Sequence, residues 1–300
     1  MPDSKFFYRF LLRVAVVLLF VTAFARAEQL SVKTYTSADG LLYEGIYRLY
    51  QESRGFIWFG TPIGISRFDG YRFTNYGMED GLFNTLINDF IEDDKGVYWL
   101  GSSSGSQYGA AIYRFDPRVK NRDEKKFVPF KISDEETAAN DVNRLFKNSR
   151  GQIFVATQGG LFSLDDAQAD KKFSRVALNV PAAESESFPV YAFAEDAEGN
   201  LWVGHEHGLT RLLPDGRSAS YEIRESGGAA TFVFSLGFDN QNRLWIVTGK
   251  RTVTVFKPEP AGSVDFSENS VKRELRLEKA FDSNNLRAGF AYAFKPEETQ

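Results

Sequence analysis

Residues 52–69 read Glu-Ser-Arg-Gly-Phe-Ile-Trp-Phe-Gly-Thr-Pro-Ile-Gly-Ile-Ser-Arg-Phe-Asp, and variants of this stretch return four more times downstream. The first copy carries Glu52, Gly55, Trp58, Gly60, Gly64, Arg67 and Asp69; the second carries Asp93, Gly96, Trp99 and Gly101, then, after an insertion, Arg114 and Asp116. The third has Asn148, Gly151, Phe154 in the tryptophan place, Thr157, Gly160 and Asp165. The fourth has Asp196, Gly199, Trp202, Gly204, Gly208 and Arg211, and the fifth Asp239, Asn242, Trp245, Thr248 and Gly249. From Trp58 to Trp99, Phe154, Trp202 and Trp245 the steps are 41, 55, 48 and 43 residues. Short apolar runs and turn residues repeating with a period in the forties predict β-propeller blades.

The physics of one unit explains the recurring residue types. Ile46 to Tyr50 and Phe56 to Phe59 are rich in aromatic and β-branched residues, which suit strands buried on both faces. Between them stand an acidic or amide residue, polar residues and then Gly (Asn in the fifth copy), which supplies the positive φ of a tight hairpin. A second turn, Gly60 to Gly64 or Gly204 to Gly208, leads to a third strand, and a looser fourth completes an up-and-down sheet. The tryptophans fall mid-strand, where blades pack on one another, and packing explains them better than sugar stacking. The recurring Asp before a turn Gly is explained by side-chain capping of the turn backbone rather than by calcium. The expected class is all-β: a propeller of four-stranded antiparallel blades, about five of them complete, with units at about 42–76, 83–132, 138–177, 187–223 and 230–277.

The N-terminus carries an export signal. Lys5, Arg9 and Arg13 precede an apolar run of 12 residues, 14–25, and Ala25-Arg26-Ala27 is a small-x-small cleavage site, so 1–27 reads as a secretory signal peptide and 28–300 as the propeller. An uncleaved anchor would need about 20 apolar residues. Residence is then periplasmic or secreted. No cysteine is present, so the fold must hold by its core without disulfides. The net charge of −4 includes four basic residues and Asp3 in the signal, leaving about −7 on the remainder. That balance argues against nucleic acid and anionic membrane surfaces as partners.

Residues 32–41 match 73–82 position for position, so 30–36 is expected to be the outer strand of the blade that closes the ring. At the far end, 274–277 reads as an outer strand and 288–294 as the inner strand of a partial sixth unit, 286–300. Five units and a start fall short of six to eight blades, so the ring is expected to be incomplete, the chain being the front of a longer protein or a truncated, gapped ring.

Asp-Gly-Leu, then the Trp-(Phe/Leu/Val)-Gly strand, then Gly-(Ile/Leu)-x-Arg-(Phe/Leu)-Asp resembles the two-component regulator propeller repeat, over most of residues 30–256. Phe154 for Trp, Asn242 for Gly and the expanded second-unit turn depart from the family pattern. The resemblance implies a periplasmic sensor region followed by an immunoglobulin-like domain, a membrane span and a cytoplasmic histidine kinase or diguanylate cyclase. Any kinase or cyclase activity, phosphorelay and membrane attachment would lie in a segment absent from this chain, and a receptor homodimer is a possible partner state.

Function is expected on the face that carries the turns between second and third strands and the links between blades, where loops converge on the central channel. Tyr108, His205 and His207 are the candidate ligand contacts there, against the alternative of loop residues without a role. His205 and His207 are the only histidines, and without a third His or Cys they do not make a zinc site. No cofactor motif, nucleophile elbow, His-Glu-x-x-His or phosphate loop is present, and no catalytic residue is assigned. The chain therefore reads as an extracytoplasmic ligand-sensing module without catalytic activity of its own, its ligand a small molecule or carbohydrate. The alternatives are a secreted propeller enzyme, a polysaccharide lyase or glycosidase, and a passive protein-interaction scaffold.

Overall fold

Strands form where the apolar runs predict them. The computed structural model describes residues 32–83, 86–103, 111–118, 125–165, 172–180, 183, 185, 187–223, 231–249, 253–260, 272–274 and 279–281. The first sheet comprises β1 (Arg48–Gln51), β2 (Ile57–Thr61), β3 (Gly64–Phe68) and β4 (Phe73–Tyr76). The second holds β5 (Ile87–Glu92), β6 (Tyr98–Ser102), β7 (Ile112–Phe115) and β8 (Phe127–Phe130); the third, β9 (Val142–Lys147), β10 (Ile153–Thr157), β11 (Gly160–Asp165) and β12 (Lys172–Arg175). The fourth holds β13 (Val190–Glu195), β14 (Leu201–His205), β15 (Gly208–Leu212) and β16 (Ser218–Glu222); the fifth begins with β17 (Val233–Phe238), β18 (Leu244–Thr248) and β19 (Val253–Phe256). Two short strands remain. β20 (Lys272–Glu274) adds parallel to β16 at the edge of the fourth sheet, and β21 (Lys279–Phe281) completes the fifth.

Every other pairing is antiparallel between consecutive strands, which makes five up-and-down blades. The first strands pack in chain order, β1 on β5, β5 on β9, β9 on β13 and β13 on β17, so they form the inner wall of an open ring. The turn glycines meet their predicted need: Gly55, Gly96, Gly151 and Gly199 have φ of +88°, +72°, +79° and +77°, and Asn242 takes their place at +57°. At the second turn Gly208 lies at φ +119°, where a Cβ would stand 2.5 Å from the Tyr221 carbonyl oxygen.

Two expectations at the ends meet a different structure. The described part of the expected closing strand, 32–36, carries no strand, although Ser37–Asp39 repeats the 3-10 turn of Met78–Asp80, each followed by a Gly at φ +99°. The turn depends on local chemistry and survives by itself, whereas a strand exists only where a neighbour supplies its ladder. The fifth sheet's outer strand is 279–281 rather than 274–277, and 272–274 lies on the fourth sheet instead. Outer strands present weak apolar patterns, so sequence alone does not choose between the two free edges. Residues 1–27, 30–31 and 286–300 lie outside the described residues.

The core sits between blades. Trp58, Tyr76, Phe90, Tyr98 and Phe115 fill the first seam, Trp99, Val142, Ile153 and Phe162 the second, Phe154, Leu161, Leu201 and Val203 the third, and Trp202, Tyr221, Val233 and Phe256 the fourth. Each indole also donates its N–H to the acid six residues earlier: Trp58 to Glu52 at 2.8 Å, Trp99 to Asp93 at 3.0 Å, Trp202 to Asp196 and Trp245 to Asp239 at 2.9 Å. The other oxygen of each Asp caps the hairpin, as Asp196 Oδ1 does by accepting from the backbone N–H groups of Glu198 and Asn200.

A guanidinium completes the arrangement. Arg67, Arg114 and Arg211 lie directly across the ladder from Trp58, Trp99 and Trp202, and Arg211 reaches Asp196 at 2.8 Å while covering the Trp202 ring at 5.1 Å. In the fifth blade Val255 faces Trp245, and Arg243 from the turn replaces the missing cation, 2.7 Å from Asp239. In the third blade all three partners change together, to Asn148, Phe154 and Ser163. Without an indole N–H or a cation to satisfy, a neutral amide suffices, and Asn148 Oδ1 still caps the turn through the N–H groups of Arg150 and Gln152.

These three positions are therefore expected to be energetically coupled. Asp196→Asn alone should cost about 3–5 kcal/mol, because it leaves Arg211 buried against a weaker partner. The triple variant Asp196→Asn/Trp202→Phe/Arg211→Ser, which copies the third blade, should cost clearly less than the sum of its single changes in urea denaturation. Additive costs would refute the coupling.

Candidate functional site

Each blade from the second to the fifth opens its inner strand in the same way. The register slips between Ile87 and Asp89, between Val190 and Ala192 and between Val233 and Ser235, and the β9–β10 ladder likewise passes from Val142 to Arg144. The skipped residues Asn88, Asn143, Tyr191 and Phe234 are bulges, which twist a strand locally and re-aim a side chain. All four line one cavity of about 650 Å³, joined by Ile46, Tyr47, Arg48 and Arg144. Its wall thus draws on β5, β9, β13 and β17 and on the start of the first blade. The residue before each bulge pairs with the last residue of the second strand, as Val190 pairs with His205, so the cavity lies at the end of the blades where the second turns emerge.

The bulge residues are braced. Asn88 Nδ2 donates to the Val142 carbonyl at 2.9 Å, and Asn143 Nδ2 to the Val190 carbonyl at 2.8 Å, so each amide staples its blade to the next. Gln158 Nε2 donates in turn to Asn143 Oδ1 at 3.1 Å. The following layer holds Arg48, Asp89, Arg144, Ala192 and Ser235, each paired with the corresponding residue of its second strand. Buried Asp89 is fully engaged: it lies 2.8 Å from Arg48 Nε and accepts the backbone N–H groups of Phe90 and Leu145. Burial pushes the Arg144 guanidinium below its usual range, Arg48 adds to that, and Asp89 opposes it. Burial likewise raises the Tyr191 phenol, assisted by the Glu206 carboxylate, so the hydroxyl keeps its proton.

The residues singled out from sequence fall elsewhere. Tyr108 lies outside the described residues. His205 is a correction: it is fully buried at the end of β14, not exposed on a loop. Its Nδ1 accepts the His207 N–H at 3.2 Å, the role that Thr157 Oγ1 plays for the Gly159 N–H at 3.1 Å, so the imidazole replaces a turn-capping hydroxyl. Nε2 then carries the proton and donates to Thr210 Oγ1 at 2.9 Å, which stands 3.1 Å from Ser220 Oγ. His207 is half-buried, its ring edge-on to Phe188 at 5.1 Å. The two imidazole centres are 6.4 Å apart, and no cluster of three or more His, Cys, Asp or Glu able to hold a metal occurs among the described residues.

The cavity residues escaped the sequence reading because their chemistry differs from blade to blade, yet a signal exists. Tyr47, Asn88, Asn143, Tyr191 and Phe234 each stand eleven residues before the tryptophan place, and Thr61, Ser102, Thr157, His205 and Thr248 three residues after it.

Blades of four strands around an axial cavity define a β-propeller. Residues 185–207, which span β13 and β14, match the family model described as Two component regulator propeller, so the likeness read from the repeats holds in the fourth blade. No curated protein matches the chain. Among solved structures, the extracellular domain of a protein described as a putative hybrid two component system from B. thetaiotaomicron is similar at 17% identity and a TM-score of 0.59, over 78% of this chain and 30% of that one. The β-propeller domain of Cps50 (Swd1) from Myceliophteria_thermophila is similar at 14% identity and a TM-score of 0.54, over 80% and 73%. A catalytically inactive virginiamycin B lyase from Staphylococcus aureus with Quinupristin gives 12% and 0.50, over 72% of each chain. At these identities the likeness is one of fold, and the chain spans under a third of the two component domain it matches.

Burial and His207 push His205 down to about 3, so it is neutral in the folded protein, whereas an unfolded histidine takes up a proton below about 6.5. Between those values the unfolded state binds more protons, and stability falls as pH drops. From pH 6.5 to 5 the loss should approach about 2 kcal/mol, above the range where carboxylates titrate. His205→Thr, which restores a hydroxyl cap, should flatten the slope of melting temperature against pH in that window. An unchanged slope would mean that the ring is not sealed off.

Proposed function

We propose that this chain is an extracytoplasmic sensing module of a two-component-type receptor, and that its ligand enters the axial cavity. The observation that carries the reading is the convergence of bulge residues from successive inner strands on one space of about 650 Å³, within the range of small-molecule sites. A bulge disrupts the ladder, and its repetition at one register position where the blades meet is what a binding wall on a rigid ring requires. The family match at 185–207 includes the Tyr191 bulge itself, and the similar two component domain is described as extracellular. Among the described residues no helix is long and apolar enough to cross a membrane, and location outside the cytoplasm rests on the export signal at 1–27.

Binding without turnover is favoured over catalysis by the cavity chemistry. Among its described lining residues, the ionisable side chains are Arg48, Arg144 and two tyrosines, none of them a proton acceptor near neutrality. The single carboxylate beneath, Asp89, is occupied by Arg48 and two backbone N–H groups.

A thermal-shift screen of small carbohydrates and organic acids tests the reading. A ligand at about a hundred times its Kd should add about 2.7 kcal/mol, roughly 5–10 °C in melting temperature. The gain should be lost in Tyr191→Ala and retained in His207→Ala, and the ligand should be recovered unchanged. Gains indifferent to Tyr191, or release of a product, would overturn it.

A further inference from the structure

We propose that the axial cavity selects an anionic ligand and that Arg144 is the residue that holds its oxyanion group, a carboxylate in the first instance. The inference rests on the sensing reading and adds the charge of the ligand to it.

Three consecutive inner strands place Arg48, Asp89 and Arg144 at one register position, and the next two strands continue with Ala192 and Ser235. Asp89 turns toward Arg48 at 2.8 Å, and each of its oxygens also accepts one backbone N–H. Two cations thus share one anion. Arg144 lines the cavity, and among the described residues no carboxylate lies within ion-pair distance of it. Among the described residues the charges that act on it are Asp89, attractive, and Arg48, repulsive.

Such a position is costly. A guanidinium held partly out of water without a carboxylate at ion-pair distance loses hydration that no charged side chain among the described residues replaces. Arg144 is flanked by Val142 and Leu145, which supply apolar packing to the seam. Its planar fork of donors suits a carboxylate, sulfate or phosphate, which it can engage through two parallel bonds. Tyr191, kept protonated, supplies a neutral donor on the same wall, and the aromatic face of Phe234 offers apolar contact to the ligand body. The asparagine amides are committed to the neighbouring strands, so they stiffen the wall rather than compete for the anion. The exposed Glu206, near Tyr191, disfavours a second negative charge at that end and points to a ligand charged at one end only.

The test compares the wild-type protein with Arg144→Gln and with Lys257→Gln, the latter an exposed charge change away from the cavity. Melting temperatures are measured in sodium acetate, malonate, galacturonate, sulfate and phosphate against sodium chloride of equal ionic strength. In chloride, Arg144→Gln should melt at or above the wild-type temperature, because a half-buried cation without a carboxylate at ion-pair distance has been removed. At least one oxyanion should raise the wild type by several degrees more than Arg144→Gln, while Lys257→Gln tracks the wild type. Equal shifts in all three proteins would be a general salt effect and would overturn the assignment. A lower melting temperature of Arg144→Gln in chloride, with no differential oxyanion shift, would make Arg144 a structural residue and would also overturn it. A neutral ligand whose binding needs Tyr191 but not Arg144 would overturn the anion claim and leave the sensing reading standing.

Discussion

The bond from indole N–H to the acid six residues earlier ties two levels of this structure together. The acid closes the hairpin between first and second strands through backbone N–H groups, and the same carboxylate fixes the ring that fills the seam to the next blade. A blade that folds its first hairpin correctly has thereby oriented its largest apolar group for docking. Isolated four-stranded sheets of this size bury too little to persist, so stability comes from stacking, and the tryptophan is its main contribution. Further bonds run along the same seams: Ser53 donates its N–H and hydroxyl to Glu92 of the next blade, and Ser149 does the same to Glu195.

Rigidity outside permits irregularity inside. With seams fixed at the tryptophans, inner strands can tolerate a bulge at their entry without losing register, because hydrogen bonds on both sides of the slip hold the chain. The bulge residue is released from the ladder and its chemistry becomes free to vary, as Asn, Asn, Tyr and Phe do in the second to fifth units. Scaffold and cavity lining are thus divided between the tryptophan place and the position eleven residues before it.

That division explains what the sequence disclosed. Residues under packing constraint repeat, so the blades, the turn glycines and Asn242, and the indoles of the seams were legible from spacing. The cavity was not, because its lining is under no packing constraint to repeat and its members look like ordinary strand residues. His205 misled for a related reason: its rarity drew notice, but rarity carries no information on burial. Aligned on the repeat, it falls in a column of Thr and Ser, and that column, rather than the neighbouring His207, states its role. Outer strands were the least legible part, since one solvated face and a free edge leave the pairing of 272–274 and 279–281 to tertiary context.

The third blade shows how a seam is held where the indole is missing. Phe154 takes less space than Trp and needs no acceptor, and Ser163 opposite offers no guanidinium to cover it. Between this blade and the fourth a recess of about 530 Å³ remains, lined by Phe154, Leu201 and Leu212 and rimmed by Asn148 and Asn179. Asn179 holds a left-handed backbone at φ 49°, a conformation that an Asn tolerates at modest cost. The seam is also held at its rim: Arg150 donates to the Gly199 carbonyl at 2.7 Å, and Ser149 donates to Glu195. Polar contacts at the rim thus accompany a seam whose interior is packed by Phe154 and aliphatic side chains in place of an indole. Tyr191 and Arg144 stand on the two inner strands that flank this join, so the cavity wall spans the seam in which the indole is missing.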